Sequence, residues 1–481
     1  MGSGASSDQE NRNTYKRILY SAAAPRENKD SSCISAAVTQ VRVEIALPSG
    51  KSTTLEVSQS SKVGDLKILA QKSFGRAFLK LVCASGRALT DLAASLEAAG
   101  IQDGDHLTAI ACHAKVSTTS RAFALWCAGG DSIVTWGNLD HGGDSSSVQH
   151  ELRSVQEVQA TDSAFAAILE DGSVITWGDP KFGGDSSAVQ DQLKGVQQVQ
   201  AAGSAFAAIL RDGSVITWGR PSFGGDSSAV QAQLKGVRQV QATGVAFAAI
   251  LEDGCVITWG RANFGGDSSS VQDQLRGVQQ LQATGSAFAA VRKDGSVVTW
   301  GDPKFGGDSS GIQLRGVQEV HATHAAFAAI QSNGSVIAWG HPRFGGDSSS
   351  VQHQLRNVQQ VGATGFAFAA ILEDGSVVTW GFEDSGGDCS AVQDRLKHVH
   401  QIQGTKTAFA AILADGSVVT WGDQRYGGDS SGVQDQLRSV QQIQATSSAF
   451  AAILEDGSVV TWGSPDSGGC CSSVQDQFAN L

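Results

Sequence analysis

Long apolar runs are missing from this chain. No stretch approaches the ~20 uninterrupted apolar residues that a membrane-spanning helix needs, and the opening residues, MGSGASSDQENRNTYK, lack the apolar core of a secretory signal. A soluble cytoplasmic protein is expected, with the nucleus also open to it. Charge is sparse, at 17% of residues, and 41% of residues are hydrophobic, which excludes a wholly disordered chain. Basic clusters are scarce too. Residues 1–113 are nearly balanced, so the acidic excess behind the net charge of −12 lies in the rest, and an acidic body suits a phosphate backbone poorly. No nucleic-acid partner is expected. The cysteines, Cys33, Cys83, Cys112, Cys127, Cys255, Cys389, Cys470 and Cys471, form no CxxC pair and keep no regular spacing. They read as reduced thiols rather than a disulfide framework. GxSxG, P-loop, HExxH and Cys/His arrangements are all absent; no catalytic residue, cofactor or metal is expected. Proline (7), tyrosine (3) and methionine (1) are rare, whereas glycine (57) and tryptophan (10) are not. That skew points to repetition.

Three segments follow one another. Residues 1–35 are polar, without apolar periodicity, and read as a disordered tail. Its start, Met1-Gly2-Ser3-Gly4-Ala5-Ser6, fits M-G-x-x-x-[ST], so Gly2 is a candidate for N-myristoylation. In residues 36–112 the texture changes. Val41, Val43 and Ile45 alternate, Pro48-Ser49-Gly50 makes a turn, and Thr54, Leu55 and Val57 continue a hairpin. A helix starting near Ser60-Ser61 and ending by Gly75 follows, then short strands around Leu79–Cys83 and 107–111. This order resembles ubiquitin-like domains, and Gly50-Lys51, Leu55-Glu56-Val57, Ala84-Ser85-Gly86-Arg87 and Asp105–Ile110 carry the likeness. The family's conjugating Gly-Gly is absent where the last strand runs on into His113-Ala114-Lys115, so a built-in, non-conjugated module is implied. The resemblance places Val82 and Ile110 at the centre of an apolar binding patch, Pro48 on its border and Lys80 and Arg87 around it.

Residues 113–481 repeat one unit. The Trp of a Trp-Gly step falls at 136, 177, 218, 259, 300, 339, 380, 421 and 462, always 41 residues apart except for 39 between Trp300 and Trp339. In unit three, Val196–Ala201 reads as strand a, Ala205–Leu210 as strand b and Ser214–Trp218 as strand c, with a tight Asp-Gly turn between b and c. The segment 187–195 opens on Ser-x-x-Gln and ends on Gly, which predicts a crossover helix of one to two turns; its shortened counterpart, 310–316, puts that helix in question. A partial first strand lies at 115–119.

The unit resembles the regulator of chromosome condensation repeat. Val199, Gly203, Ala207-Ala208-Ile209-Leu210 and Asp212-Gly213-Ser214-Val215-Ile216-Thr217-Trp218-Gly219 fit, with Phe206 near the family's usual His. The short three-stranded version looks like the compact bacterial propellers of that superfamily. The fold expected is therefore mainly β: a propeller-like ring or spiral of about nine three-stranded units, preceded by a small α+β ubiquitin-like β-grasp domain. Nine exceeds the usual blade number, so a ring closed by stacking unit nine on unit one and an open spiral both fit.

Topology makes the two faces unequal. If strand a runs up, the a–b turns and the segment after each Trp-Gly share an upper face, and the Asp-Gly turns a lower one. Sequence varies on the upper face and hardly at all on the lower, which is how repeat proteins present a binding surface. Phe182, Phe223, Phe264, Phe305 and Phe344 recur there beside Lys181, Arg220, Arg261, Lys304 and Arg343. Each Phe could cap its blade core, or the arc could receive an acidic, hydrophobic partner segment; if the rings prove to be core, the a–b turns around Val245, Phe366 and Lys406 are the next place to look. The repeated Trp and Gly serve packing. The Asp of each GGDSS motif reads as a turn stabiliser rather than a metal ligand, and the pairs His398/His400 and His321/His324 lack a third ligand. The function expected is a non-catalytic adaptor whose rim recruits a protein and whose ubiquitin-like domain meets receptors, ligase or proteasome components. The resemblance also raises guanine-nucleotide exchange on a small GTPase, although no unit carries an inserted wedge, and inhibition of an enzyme.

Overall fold

The computed structural model describes residues 39–75, 79–111, 114–128, 130 and 132–478. Gly2, Cys33 and the tail at 1–35 lie outside them, as does Cys112.

The N-terminal part has the expected order: β1 (Gln40–Ala46), β2 (Ser52–Ser58), α1 (Val63–Phe74), β3 (Leu79–Cys83) and β4 (His106–Ala111). The strands form one mixed sheet, β2-β1-β4-β3, with β1 and β4 parallel. Alternation decides the faces. Val41, Val43, Ile45, Leu81, Leu107 and Ala109 point inward and meet Val63, Leu66, Ala70 and Phe74 of α1. The helix stops where Gly75 takes a left-handed φ of 63° and its N–H returns to the helix's last carbonyls.

The repeats form nine separate three-stranded antiparallel sheets. In unit three the strands are Val196–Ala201, Ala205–Leu210 and Val215–Gly219. Strand b, AFAAIL, is buried almost throughout because it lies between strands a and c and between neighbouring blades. Strand a buries Val196 and Val199 on one face, a spacing of three that period-2 pleating forbids. A bulge after Val196 absorbs the extra residue, and it recurs in units two to nine.

Aromatic stacking welds each blade. The strand-b Phe and strand-c Trp lie 5.0–5.2 Å apart and close to parallel in all nine units. Each indole N–H then donates to a glycine carbonyl of the preceding unit, as Trp218 Nε1 does to Gly183 at 3.1 Å. That glycine sits at a φ of 92°, and a Cβ on it would fall 2.7 Å from the Phe206 ring; the second demand of the Gly-Gly step is thus close approach, beyond the turn itself.

The ring closes. Trp136 of unit one donates to Gly468 of unit nine at 3.1 Å, Thr118 Oγ1 donates to Ala445 O at 2.9 Å, and Phe478 of the terminal helix α2 (Gln475–Phe478) meets Trp136 edge-on at 5.4 Å. Unit nine stacks on unit one without sharing a strand.

The crossovers differ from the expected helices. Ser186 Oγ donates to the Gln190 side chain at 2.8 Å, and Gln190 Nε2 reaches the Val174 carbonyl at 2.9 Å. Gln190, the last residue of the Ser187-x-x-Gln190 pattern, thus ties the crossover to strand c through Ser186 and Val174 instead of capping a helix, and only a 3-10 turn, Gln190–Gln192, remains. Units seven and eight extend it to Ser390–Arg395 and Ser431–Gln436, and 310–316 in unit five has no helix.

Candidate functional site

Upper and lower faces are arranged as the topology requires. In unit two, Thr161 of the a–b turn donates from Oγ1 to the Phe182 carbonyl at 2.9 Å, pinning the segment after Trp-Gly beside the turn. The same bond recurs in every unit but three, where Ala202 replaces Thr. The pinned segments are 3-10 turns such as Pro180–Phe182, each ended by a left-handed glycine, a regularity the varied sequence there conceals.

At the mouth of the ring, the central residues of the nine a–b turns join in a circle. The N–H of Ser120 donates to Asp162 O, Asp162 to Gly203, Gly203 to Gly244, Gly244 to Gly285, Gly285 to His324, His324 to Gly365, Gly365 to Lys406, Lys406 to Ser447 and Ser447 back to Ser120, at 2.8–3.2 Å. Each link is a main-chain bond, and only at Ser120, whose Oγ also donates to Asp162 O at 2.7 Å, does a side chain reinforce it. The other side chains at these positions make no link of the circle, which is why Asp, Gly, His and Lys all occur there.

Their environments differ. The Asp162 carboxylate lies over Gly203, 3.1 Å from where a Cβ would stand. It keeps an exposed surface, yet the crowding protein raises its pKa by desolvation, against the opposing pull of His141 and Lys406. His141 Nδ1 meets Ser163 Oγ at 2.8 Å and Ser120 Oγ at 3.2 Å. Ser163 is buried, and the cluster anchors unit one's segment after Trp-Gly, where units two to six have Phe. His324 lies over Gly285, and burial, with the Lys406 charge, lowers its pKa.

The aromatic arc is partly buried. Phe182, Phe223 and Phe305 rest against the adjoining blade cores, and Phe264 and Phe344 are also half-exposed. Arg220 lies 4.3 Å over Phe223 and Arg261 4.6 Å over Phe264. The backbone N–H groups of Lys181 and Lys304 bond Asp179 and Asp302, and their ammonium groups stay exposed. Arg343 leaves its own Phe344 and stands 5.2 Å over Phe382. Phe344 instead stacks on His341 at 4.3 Å and leans on Phe366 at 4.8 Å. His324, Phe366 and Phe382 thus join the arc from neighbouring turns; Phe366 lies in an a–b turn the sequence already offers as a second candidate, and the signal for His324 and Phe382 is their departure from the Gly, Ser or polar residue usual at those positions.

The lower face behaves otherwise. Asp171 Oδ1 accepts the Ser173 N–H at 2.8 Å and hydroxyl at 2.6 Å, bonds that lower the Asp171 pKa. Gly172 has a φ of 82° and packs on Gly195. Side chains there build the turn.

On the N-terminal sheet, Lys80, Val82, Thr108 and Ile110 share the outward face, Lys80 opposite Ile110 and Val82 opposite Thr108. Ile110 is 42% exposed. Pro48 is exposed in the β1–β2 turn, and Arg87 donates to the Ala99 carbonyl at 2.5 Å, which holds the loop after β3. Among the described residues no group of three His, Cys, Asp or Glu is placed to hold a metal, and no helix is long and apolar enough to cross a membrane.

No family model matches the chain, and no curated protein is similar to it. Several solved structures are. Prp20p from Saccharomyces cerevisiae is 15% identical over 65% of this chain and 82% of its own, with a TM-score of 0.36. Human WBSCR16 is 17% identical over 48% of this chain and 77% of its own, with a TM-score of 0.33. Caldiarchaeum subterraneum ubiquitin is 25% identical over 16% of this chain and 96% of its own, with a TM-score of 0.15. The propeller assignment itself rests on nine three-stranded sheets and the bonds that close them into a ring.

Proposed function

We propose that the protein is a non-catalytic interaction scaffold, in which the upper face of the ring recruits a protein partner. The sheet module at 40–111 is in this reading ubiquitin-like and engages receptors, ligase or proteasome components of the ubiquitin pathway, in the cytoplasm or nucleus. One observation supports the assignment to the upper face above others: the circle of a–b turns is closed by nine main-chain bonds, with a side chain adding to them only at Ser120, so the other central side chains are free to be chosen for recognition. The lower turns have no such freedom, because the Asp side chain and a glycine without a Cβ form the turn.

The test is site-directed photocrosslinking in extract, with the probe at Val245 on the upper face or at Lys293 on the lower. Adducts are expected from Val245 alone. Replacing Phe223, Phe264 and Phe305 together by Ser, the residue units seven and nine already have, should weaken adduct formation at least about tenfold, since aromatic anchors are worth ~2 kcal/mol or more each. Adducts from Lys293 alone would defeat the reading, and a melting loss of tens of degrees in the triple variant would make those rings core. For the N-terminal module, Val82→Asp with Ile110→Asp should abolish capture of ubiquitin receptors while its circular dichroism is kept; unchanged capture removes the ubiquitin-pathway part.

A further inference from the structure

Besides Arg425, which stands 5.4 Å over Tyr426, four upper-face cations stand over aromatic rings: Arg220 over Phe223, Arg261 over Phe264, Arg343 over Phe382 at 5.2 Å, and Lys406 over Phe366 at 5.7 Å. None of the four has a carboxylate within ion-pair distance among the described residues, although the chain is net acidic. Arg425, one unit on from Phe382, differs from these four in having a carboxylate beside it as well as a ring: its Nη2 lies 2.8 Å from Asp423 Oδ2. A guanidinium stacked on a ring uses its face there and keeps its edge N–H donors for an acceptor in the ring plane.

Between units five and seven the rings become continuous. Phe305 meets His324 at 5.6 Å, His324 meets Phe366 at 6.4 Å, and Phe366 meets Phe344 at 4.8 Å. All four keep exposed surface, so together they make an apolar floor running from the rim to the mouth of the ring. The floor is held in place from below: a Cβ on Gly285 would collide with the His324 ring, and Thr323 Oγ1 donates to Phe344 O at 3.0 Å. Arg343 and Lys406 border it. Glu383 and Asp384 follow Phe382 in unit seven's 3-10 turn but pair with neither cation.

We propose that this patch docks an acidic segment of a partner protein, one large apolar side chain resting on Phe305, His324, Phe366 and Phe344 while carboxylates on either side reach Lys406 and Arg343. Charge complementarity fixes the sign: a basic segment would meet two bordering cations, whereas an acidic one supplies carboxylates at ion-pair distance, Asp162 acting on Lys406 only from farther off. The inference rests on the upper-face reading and narrows it to one place and one chemistry.

The full chain should be titrated with a short labelled peptide bearing one Trp among Glu residues, with the same peptide bearing Lys for Glu, and with an oligouridine, which would exploit the same rings by stacking. The acidic peptide should bind saturably and at least about tenfold more tightly than the lysine peptide. Lys406→Glu and Phe366→Ser should each weaken it at least about tenfold with the melting temperature kept; if Phe366→Ser melts early, the exposed Lys406→Glu decides. Equal binding of both peptides, indifference to Lys406→Glu, or tighter binding of oligouridine overturns the proposal. Such a result with upper-face crosslinks intact removes this site alone, whereas loss of the Val245 crosslinks removes the wider reading.

Discussion

The two ends of each blade solve one problem with different atoms. Both must turn the chain between antiparallel strands and join one blade to the next. At the lower end the side chains do the turning: Asp212 accepts the Ser214 N–H at 2.9 Å, and Gly213, at a φ of 75°, leaves no room for a Cβ against Gly236. At the upper end nine main-chain bonds do the joining; the turn Thr is fixed by its bond to the segment after Trp-Gly, but the central side chains other than Ser120 are spare. A repeat protein built this way can vary one face without re-solving its fold, so variation collects where the backbone alone suffices.

The largest effect should come from what both ends depend on. Trp177→Ala removes a buried ring stacked on Phe165 and its bond to Gly142 O. A cost of about 3–5 kcal/mol is expected, read as the largest melting loss of any single substitution named here. A cost under about 1 kcal/mol would mean that the blades are held by other contacts and would blur the contrast between their ends.

Carboxylates sharpen the comparison through pH. The turn Asp residues, such as Asp171, have pKa values lowered by their hydrogen bonds. Their stabilisation is complete above the unfolded carboxylate pKa of about 4 and is lost as pH falls through the folded value. Asp162 is opposite in sign. Desolvation raises its pKa, so the folded state binds its proton more tightly and stability falls as pH rises from about 4 through the raised value. Asp162→Asn should therefore raise the melting temperature modestly at pH 7 and leave it unchanged near pH 3, whereas Asp171→Asn should lower it at pH 7. Melting curves of both variants at the two pH values check the signs.

Much of this division is legible in the sequence. Nine Trp-Gly steps, the Asp-Gly turns and the alternation in 40–58 suffice for the units, the strand order and the sharing of faces. The crossover helix misleads because Ser187 and Gln190 match a capping pattern while the Gln190 side chain is bound by Ser186 and by the Val174 carbonyl, 16 residues back. Ring closure depends on Thr118 and Ala445, 327 residues apart, and no local pattern reports such a contact. The aromatic floor is hidden for a similar reason: His324 reads as half of a close histidine pair with His321, yet its neighbours are Phe305 of the unit before and Phe366 of the unit after.

The claim that the central a–b turn positions are free and the Asp-Gly turn positions are not is tested most directly by one substitution placed at each end. Gly213→Ser and Gly244→Ser introduce the same side chain, the second being the residue that units one and nine already carry as Ser120 and Ser447. Gly213 has a positive φ and a backbone neighbour 2.8 Å from the new Cβ; the nearest neighbour to a Cβ on Gly244 is Gly285 O at 3.3 Å, and its φ is not left-handed. The account predicts a loss of at least about 1–2 kcal/mol for Gly213→Ser, several degrees of melting temperature, and less than about 0.5 kcal/mol for Gly244→Ser. Equal losses at the two positions would contradict it.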